Sequence, residues 1–416
     1  MDLAIFQQLL SPMGQAALAE AVSLGPNQAT FLACHQRLVK HFPDGLVKAV
    51  LETAILRRKA VGKFARAGDM YFTREALEQS SGEIVATHRA GRFAAFDRVG
   101  DFCCGIGGDL IGLAERTTVV AVDADPLRLA MAGANLKAYG RHERVDFVEG
   151  DVRTVAITDI GAAFFDPDRR AGDRRHIRLR EYEPTLDAVR GRLPGDFPLG
   201  VKVAPGVPWD DLRAYDAECE FVSVGRELKE CVLWFGPLKT TGRRATVLPA
   251  GAILSADQPA TAAEPGPPLS FLYDPDPAVV RSGLVADLGR LLNARPLAPE
   301  IAYLTAATWT PTPFARCYAI DDAMPFHAKR LGERLRALGV GPVTITKRGS
   351  AVDVDELRRK WKLTGSESRT VLLTRTNAGP LAMIGRPVAK PHAAPSGNAE
   401  KYFIPYAARS ETSTNR

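Results

Sequence analysis

Apolar residues in the first 95 positions recur at the spacing of a helix face, without strand-like alternation. The repeated pairs are Phe31-Leu32, Leu38-Val39, Leu46-Val47, Val50-Leu51 and Ile55-Leu56. Spacings of three and four residues predict amphipathic helices. Thr73, just before Arg74-Glu75-Ala76, carries a hydroxyl that can cap one further helix. We therefore expect residues 1–95 to form a helical extension, either a buttress for the next domain or a lid over a ligand.

Between residues 96 and 240 the pattern changes to short apolar runs that alternate with helix-like stretches. The runs begin at Val99 and recur at 118–122, 145–148, 162–165, 200–204, 220–224 and 231–235. Alternating strands and helices predict an α/β domain with a mostly parallel sheet. The last two runs are too close for a helical crossover, so we expect them to form an antiparallel hairpin.

Three further regions are expected after residue 240. Residues 241–318 are rich in Pro, Ala and Gly and predict a connecting segment packed on the core, with an exposed loop at 260–268 and a helix around 277–292. Residues 319–390 predict a small α/β domain with helices at 326–338 and 353–363 and strands at 342–346 and 370–375. We expect residues 391–416 to be a largely flexible tail, although Tyr402-Phe403-Ile404 could dock as a strand.

A glycine-rich turn follows the first apolar run. Asp101, Gly105 and Gly107 lie where a strand turns into a helix, and Asp123 ends the next strand. Such a turn exposes bare backbone to a nucleotide-like ligand, although it also occurs as a tight turn in many α/β domains. A dinucleotide fingerprint would need glycine at Leu110, and no Gly-Lys-Ser/Thr follows for a P-loop. S-adenosylmethionine, which has no phosphates, suits these residues better.

Two later strands also end in acidic residues. The run at 145–148 leads to Asp151-Val152, and the run at 162–165 leads to Asp166-Pro167. Ligands of open α/β sheets bind along the carboxyl ends of the strands. Four successive strand ends with acids or glycines therefore predict a cofactor site.

The chain resembles a class I S-adenosylmethionine-dependent methyltransferase. DFCCGIGGD, VVAVDADP, VEGDV and FFDPDRR resemble its motifs I to IV. FTREALEQSSGEIVATHRAGRF (72–93), KVAPGVPW (202–209), GRELKECVLWFGPL (225–238) and the segment near 340–386 resemble a bacterial group with a C-terminal THUMP-like domain. The methyltransferase half is also similar to trimethylguanosine synthase. The resemblance implies a Rossmann-like seven-stranded sheet with one reversed strand, and S-adenosylmethionine as cofactor.

The resemblance also implies roles for the donor residues. They are Asp101, Phe102, Cys103, Gly105, Gly107 and Asp109 around the methionine part, Asp123 and Ala124 at the ribose, and Asp151 and Val152 at the adenine.

Asp166-Pro167-Asp168-Arg169 stands where amino-methylating enzymes of this class have Asp-Pro-Pro-aromatic. Asp166 and Pro167 are therefore expected to position the acceptor. Arg169 can stack on a base or clamp a phosphate, or these charges form only a surface loop. No Pro-Cys pair is present near this motif, and Cys231 lies in an apolar run. Nitrogen or oxygen is thus favoured as acceptor over pyrimidine carbon, which needs a cysteine nucleophile.

Positive charge is concentrated in two places, residues 169–180 and residues 329–375. The chain of 416 residues has a net charge of +6, and residues 329–375 alone contain 12 Lys or Arg against 5 Asp or Glu. RNA-binding candidates are Arg170, Arg174, Arg175, Lys347, Arg348, Arg358, Arg359 and Lys360. Clustered cations favour phosphate contacts, whereas the alternatives are a solvated charged surface or a packing domain.

The remaining composition argues against a disulfide-rich, metal-binding, membrane-spanning or secreted protein. Six cysteines without a C-x-x-C pair indicate reduced thiols and no metal site, and no 18-residue apolar run predicts a membrane span. The N-terminus lacks a secretion signal, so a cytoplasmic protein is expected, with the oligomeric state open. The leading hypothesis is a methyltransferase acting on a base nitrogen of structured RNA. The alternatives are a small-molecule or protein methyltransferase, and a non-catalytic RNA- or protein-binding module.

Overall fold

The computed structural model describes residues 1–168, 170–171, 174–175 and 177–389, with backbone alone for 170–171 and 174–175. Arg169 and the tail 391–416, with its possible strand at 402–404, lie outside the described residues. The chain divides into two compact units: Met1–Glu218 with Glu230–Thr240, and Cys219–Lys229 with the chain from Thr241 onward. The finer division into five segments stays a prediction.

Helices occupy the first 95 residues, as predicted. They are α1 (Leu3–Leu10), α2 (Pro12–Leu24), α3 (Phe31–Leu38), α4 (Asp44–Ala60), α5 (Arg74–Gln79) and α6 (Glu83–Ala90). Side chains cap several of their starts: Thr73 Oγ1 accepts the amide of Ala76 at 3.1 Å, and Ser11 caps α2 beside Pro12. Gly25, in the left-handed region at φ 60°, ends α2.

The helical segment packs against the glycine turn rather than standing apart from it. Phe6, Val50 and Phe72 share one buried cluster with Ile106 of the turn and Met131 of a later helix. Because these apolar faces are removed from water together, the segment buttresses the turn. This packing agrees with the buttress alternative, and a lid over the ligand stays a prediction.

The first unit contains a largely parallel sheet. Its strands are β1 (Arg98–Phe102), β2 (Thr118–Asp123), β3 (Val145–Glu149), β4 (Ala162–Phe165), β7 (Leu199–Val203) and the end of β9 (Glu227–Phe235). Their order is β9-β7-β4-β1-β2-β3, and only β9 runs antiparallel to its neighbour. The predicted α/β, Rossmann-like class is confirmed, while the expected count of seven strands stays a prediction.

Helices and one small hairpin connect these strands. They are α7 (Leu110–Arg116), α8 (Pro126–Ala138), α9 (Leu186–Arg190), α10 (Trp209–Arg213) and the paired β5 (Arg170–Ala171) and β6 (Arg174–Arg175). Burial of β4 and β7 along their whole length explains their continuous apolar runs. All five parallel strands present their carboxyl ends at one edge, which carries the predicted site.

A strand is present at the expected position near 220–224. It is β8 (Glu218–Val224), and a two-residue turn joins it to β9. Gly225 and Arg226 in this turn have φ values of 58° and 73°, as a tight hairpin turn requires. The predicted hairpin is confirmed. In the second unit β8 pairs with β10 (Arg243–Leu248), which pairs antiparallel with β11 (Ala252–Ala256).

The second unit also contains another sheet. Its strands are β12 (Phe271–Pro275), β13 (Arg295–Ala298), β14 (Ile301–Ala306), β15 (Ala315–Pro325), β16 (Val340–Lys347), β17 (Glu367–Thr376) and β18 (Gly379–Pro387), in the order β13-β14-β12-β15-β18-β17-β16. Its helices are α11 (Pro277–Ser282), α12 (Val285–Leu292), α13 (Ala328–Ala337) and α14 (Val354–Trp361).

The elements predicted for the small α/β domain are present, but two other expectations need correction. The single helix expected around 277–292 is two helices, because Gly283 leaves the helical region at φ 76°. β15 and β18 were missed, since the acids in β15 and the Gly and Pro residues flanking β18 are typical of turns. The loop expected at 260–268 contains no helix or strand. No helix of the described residues is long and apolar enough to cross a membrane.

Asn135 of α8 connects the helical segment to the glycine turn, and replacing it tests the strength of this connection. Its side chain accepts the Tyr71 amide at 2.7 Å and donates to the carbonyls of Tyr71 and Ile106 at 3.1 and 2.9 Å. Asn135→Ala should lower the free energy of unfolding in urea by about 1–3 kcal/mol, because buried backbone groups lose their partners. Lys137→Ala, at an exposed position of the same helix, is the control. Equal stability of the two variants would contradict this role for Asn135.

Candidate active site

The glycine turn leaves space beside its backbone. Cys103, Gly105 and Gly107 all lie in the left-handed region, with φ values of 61°, 56° and 84°. A Cβ atom on Gly107 would lie 3.3 Å from the Cα of Ala132, whereas one on Gly105 would meet no atom within 4 Å. Gly107 thus allows close packing against α8, and Gly105 faces open space suited to a ligand.

Asp101 lies at the centre of the site and is fully buried. Neither of its carboxylate oxygens has a hydrogen-bond partner within the described residues. Burial raises the pKa of this carboxyl well above its ordinary value, and the negative charge of Asp166 raises it further. Buried polar atoms in native proteins are nearly always satisfied, so these two oxygens point to a ligand that donates hydrogen bonds.

Asp123 fixes the glycine turn from the end of β2. One of its oxygens accepts the Gly105 amide at 2.8 Å, and the other accepts the Asp125 amide at 2.9 Å. Burial raises the pKa of the Asp123 carboxyl, whereas these hydrogen bonds lower it. Ala124 follows directly at the same strand end. The ribose role of Asp123 and Ala124 stays a prediction, and each carboxylate oxygen keeps a lone pair for it.

Asp109 is held by a buried arginine. Arg89 of α6, which is 2% exposed, forms ion pairs with Asp109 and Glu230, and its guanidinium lies 4.3 Å from the centre of the Phe164 ring. Ser81 Oγ also donates to Asp109 at 3.2 Å. The carboxylate of Asp109 therefore supports the turn, while its proposed contact with the methionine part stays a prediction. Sequence reasoning missed Arg89, whose signal is a charge among the apolar residues of α6.

The predicted adenine residues lie just beyond β3. Asp151 accepts the Arg153 amide at 2.8 Å and its guanidinium Nε at 3.0 Å, and these contacts lower the pKa of the Asp151 carboxyl. Val152 is buried. This part of the edge combines an accessible carboxylate with an apolar surface, as an adenine with its exocyclic amine requires.

The predicted acceptor motif lies beside the glycine turn. The Asp166 amide donates to the Phe102 carbonyl at 3.1 Å, and Pro167 is buried. Lys202 of β7 donates from Nζ to Asp166 Oδ2 at 2.6 Å. Sequence reasoning missed Lys202, although a lysine inside the apolar run of β7 is a visible signal. Arg169, the third predicted residue of the motif, lies outside the described residues.

The predicted RNA-binding residues separate into groups. Arg358, Arg359 and Lys360 lie together on α14 and are exposed. Arg358 and Lys360 form ion pairs one turn back on the same helix, with Asp355 and Glu356. Arg348 is less exposed than they are, pairs with Asp274 at 2.9 Å and lies over the Tyr303 ring.

Three other arginines and one lysine complete the set. Lys347 donates to the Val352 carbonyl at 2.9 Å. The backbones of Arg170, Arg174 and Arg175 form the small β5–β6 hairpin, and their side chains lie outside the described atoms.

Three family models match parts of the chain. Residues 97–189 match RNA cap guanine-N2 methyltransferase, and residues 315–387 match a THUMP domain-like family. Residues 2–60 match a domain of unknown function.

Similarity to a protein of Mycobacterium tuberculosis (strain H37Rv) shows the family of this chain. This uncharacterized S-adenosylmethionine-dependent methyltransferase is 35% identical over 353 residues, which cover 82% of this chain and 96% of the relative. The chain belongs to the S-adenosylmethionine-dependent methyltransferases. Trimethylguanosine synthase of Schizosaccharomyces pombe is 42% identical over 53 residues, 12% of this chain and 22% of that protein.

A solved structure has the same fold as this methyltransferase. A protein of Porphyromonas gingivalis W83, described as a methyltransferase, superposes with a TM-score of 0.72 at 18% identity. The match covers 88% of this chain and all of that one. This likeness concerns the fold alone.

The methyltransferase uses S-adenosylmethionine, and its residues fit that group. The unpartnered oxygens of Asp101 match the ammonium of the methionine part, and the open space at Gly105 leaves room beside the backbone. Within the described residues, no group of three or more His, Cys, Asp or Glu side chains could hold a metal ion. None of the six cysteines, all of which lie in the described residues, forms a disulfide, and Cys231 is a buried core thiol as expected.

Asp101 gives the methyltransferase a testable pH dependence. Because its pKa is raised in the folded state, the folded protein holds a proton that the unfolded chain releases above the ordinary aspartate value of 3.8. This group should lower the free energy of unfolding as pH rises from 3.8 to its raised pKa, by up to about 1.4 kcal/mol per pH unit.

Urea unfolding of the wild type and Asp101→Asn between about pH 5 and 8 measures this contribution. The wild-type protein should lose stability relative to Asp101→Asn as pH rises. Asp97→Asn, at an exposed position, should follow the wild-type slope. Parallel curves for the wild type and Asp101→Asn would show that Asp101 does not titrate in this range.

Proposed function

We propose that this methyltransferase transfers a methyl group to a base nitrogen in structured RNA. The observation that carries the proposal is the position of Asp166 beside the glycine turn, which we also call the donor turn. The Asp166 amide donates a hydrogen bond to the carbonyl of Phe102, where this turn begins. A carboxylate there can accept from an acceptor amine next to the donor. The match of residues 97–189 to an RNA cap guanine-N2 methyltransferase model supports RNA as the acceptor class.

Different residues along the sheet edge are proposed to bind different parts of S-adenosylmethionine. Asp101 accepts hydrogen bonds from the ammonium of the methionine part, and the backbone of Phe102 and Cys103 with Gly105 and Gly107 lines that part. Asp123 and Ala124 bind the ribose. Asp151 accepts from the adenine amine, and Val152 packs on the ring. Asp109 keeps the turn in place through Arg89.

Methyl transfer at this site depends on alignment. S-adenosylmethionine supplies an electrophilic methyl group on a sulfonium. Asp166 orients the lone pair of the acceptor amine, and the rigid Pro167 shapes the pocket, so that the nitrogen approaches in line. Arg169 is proposed to stack on the base or hold a phosphate.

The thiols of the chain argue against a carbon acceptor. Burial and the nearby carboxylate of Asp123 raise the pKa of Cys103 well above its ordinary value, so this cysteine stays a thiol. Cys231 lies fully buried in β9. Neither cysteine is suited to attack a pyrimidine ring, since the thiolate is the nucleophilic form.

The second unit is proposed to bind RNA through phosphate contacts. The match of residues 315–387 to the THUMP domain-like family supports this role. Arg358, Arg359 and Lys360 are the exposed cations most suited to it, followed by Lys347. Arg348 is proposed as a weaker contact, because Asp274 binds it and its side chain is less exposed than those of Arg358 and Lys360. In the first unit, Arg170, Arg174 and Arg175 are proposed as further phosphate contacts. A cytoplasmic location is proposed because none of the six cysteines forms a disulfide.

Methyl transfer is tested on RNA from a strain that lacks this protein. Incubation with the purified enzyme and S-adenosylmethionine should create one methylated nucleoside, identified by mass spectrometry, that wild-type RNA already contains. Asp166→Asn should slow transfer about 100-fold, because the acceptor loses its alignment. Asp97→Asn is the control. Cofactor binding without any RNA methylation would contradict the proposal and favour a small-molecule, protein or non-catalytic role.

The RNA surface is tested separately by its salt dependence. Replacing Arg358, Arg359 and Lys360 by Ala should weaken RNA binding and lower the slope of log affinity against log salt by about 0.7–0.9 for each phosphate contact removed. The control removes three exposed cations of α4 (Lys48, Arg58 and Lys59). Equal slopes in both variants would exclude α14 from the RNA interface.

A further inference from the structure

We propose that Lys202 is a positioning residue for methyl transfer, whose ammonium holds Asp166 Oδ2 so that Oδ1 is presented to the acceptor amine. This inference rests on the proposed role of Asp166 in binding the acceptor. It assigns a function to a side chain that lies outside the four donor and acceptor motifs.

The surroundings of Lys202 require a partner for its charge. All five residues of β7 are buried, and Lys202 itself is only 4% exposed. An ammonium taken out of water loses much hydration energy, so it persists in such a place only when paired. Its Nζ lies 2.6 Å from Asp166 Oδ2 and 3.4 Å from the Gln79 carbonyl.

The two oxygens of Asp166 have different surroundings. Oδ2 accepts from Lys202, whereas Oδ1 accepts no hydrogen bond from the part of the chain that the structure describes. The side chain is 20% exposed, so it is reachable from outside. One oxygen is therefore fixed and the other is available, which is the arrangement that an acceptor amine needs.

Lys202 also offsets part of the negative charge of the neighbouring carboxyl groups. Asp101, Asp123 and Asp166 lie close enough for the charges of the other two to raise the pKa of Asp101. Lys202 and Arg89 act on Asp101 in the opposite direction. Arg89 is bound to Asp109 and Glu230, and among the described residues Lys202 is the cation that pairs directly with the acceptor carboxylate.

Lys202 also links the acceptor motif to the donor turn. Its ammonium lies at the carbonyl of Gln79, the last residue of α5. Two residues later Ser81 donates to Asp109, and a Cβ on Gly108 would lie 3.2 Å from the Ser81 carbonyl oxygen. The ammonium thus contacts Asp166 directly, but it reaches the glycine turn only indirectly, through Gln79 and Ser81. Its loss should therefore disturb the alignment of acceptor and donor more than it disturbs donor binding.

The experiment separates charge from packing. Lys202→Met removes the charge and keeps the chain length, and Lys202→Arg restores a cation. Lys202→Ala is measured with added n-propylammonium or, as its uncharged counterpart, n-propanol. Single-turnover transfer to the RNA substrate is measured at saturating RNA and donor, and affinity for S-adenosylhomocysteine is measured by calorimetry. Lys229→Met, on an exposed lysine, is the matched control.

We expect Lys202→Met to slow transfer at least about 10-fold with less than about 3-fold change in S-adenosylhomocysteine affinity. Lys202→Arg should recover much of the rate, and n-propylammonium but not n-propanol should rescue Lys202→Ala. A wild-type rate in Lys202→Met, or equal rescue by n-propanol, would overturn the inference while the wild-type enzyme still methylates RNA. Absence of transfer by the wild type would instead overturn the proposed function and, with it, this inference.

Discussion

The buried guanidinium of Arg89 is the constraint on which the active site depends. It joins α6 to the donor turn through Asp109 and to β9 through Glu230, and it lies over Phe164 of β4. A buried charge must keep its partners, because leaving one unpaired costs about 3–5 kcal/mol. The helical segment, the turn and the sheet are thus held in one relation to each other within the first unit.

This constraint allows an unusual concentration of carboxyl groups. Asp101, Asp123 and Asp166 lie at neighbouring strand ends, where the parallel sheet brings them together. Asp123 is stabilised by backbone amides and Asp166 by Lys202, but Asp101 has no partner among the described residues. Such an edge favours a cationic ligand, and a sulfonium donor with an ammonium group has that charge.

Much of the fold could be predicted because its signals are local. Apolar runs identified the strands of the parallel sheet, and capping residues such as Thr73 identified helix starts. The errors also have local causes. Gly283, in the left-handed region, divided one predicted helix into α11 and α12. The acids of β15 concealed a long strand in which partly buried and exposed residues alternate from Ile320 to Pro325.

The sequence by itself determined which glycines and acids lie together, since residues at the carboxyl ends of parallel strands must meet at one edge of the sheet. It could not determine which charges neutralise one another. Arg89 and Glu230 are 141 residues apart, Asn135 and Tyr71 are 64 apart, and Lys202 and Asp166 are 36 apart. Only the tertiary structure decided these pairs, because a buried polar group takes whichever partner the packing of distant elements brings within hydrogen-bond distance.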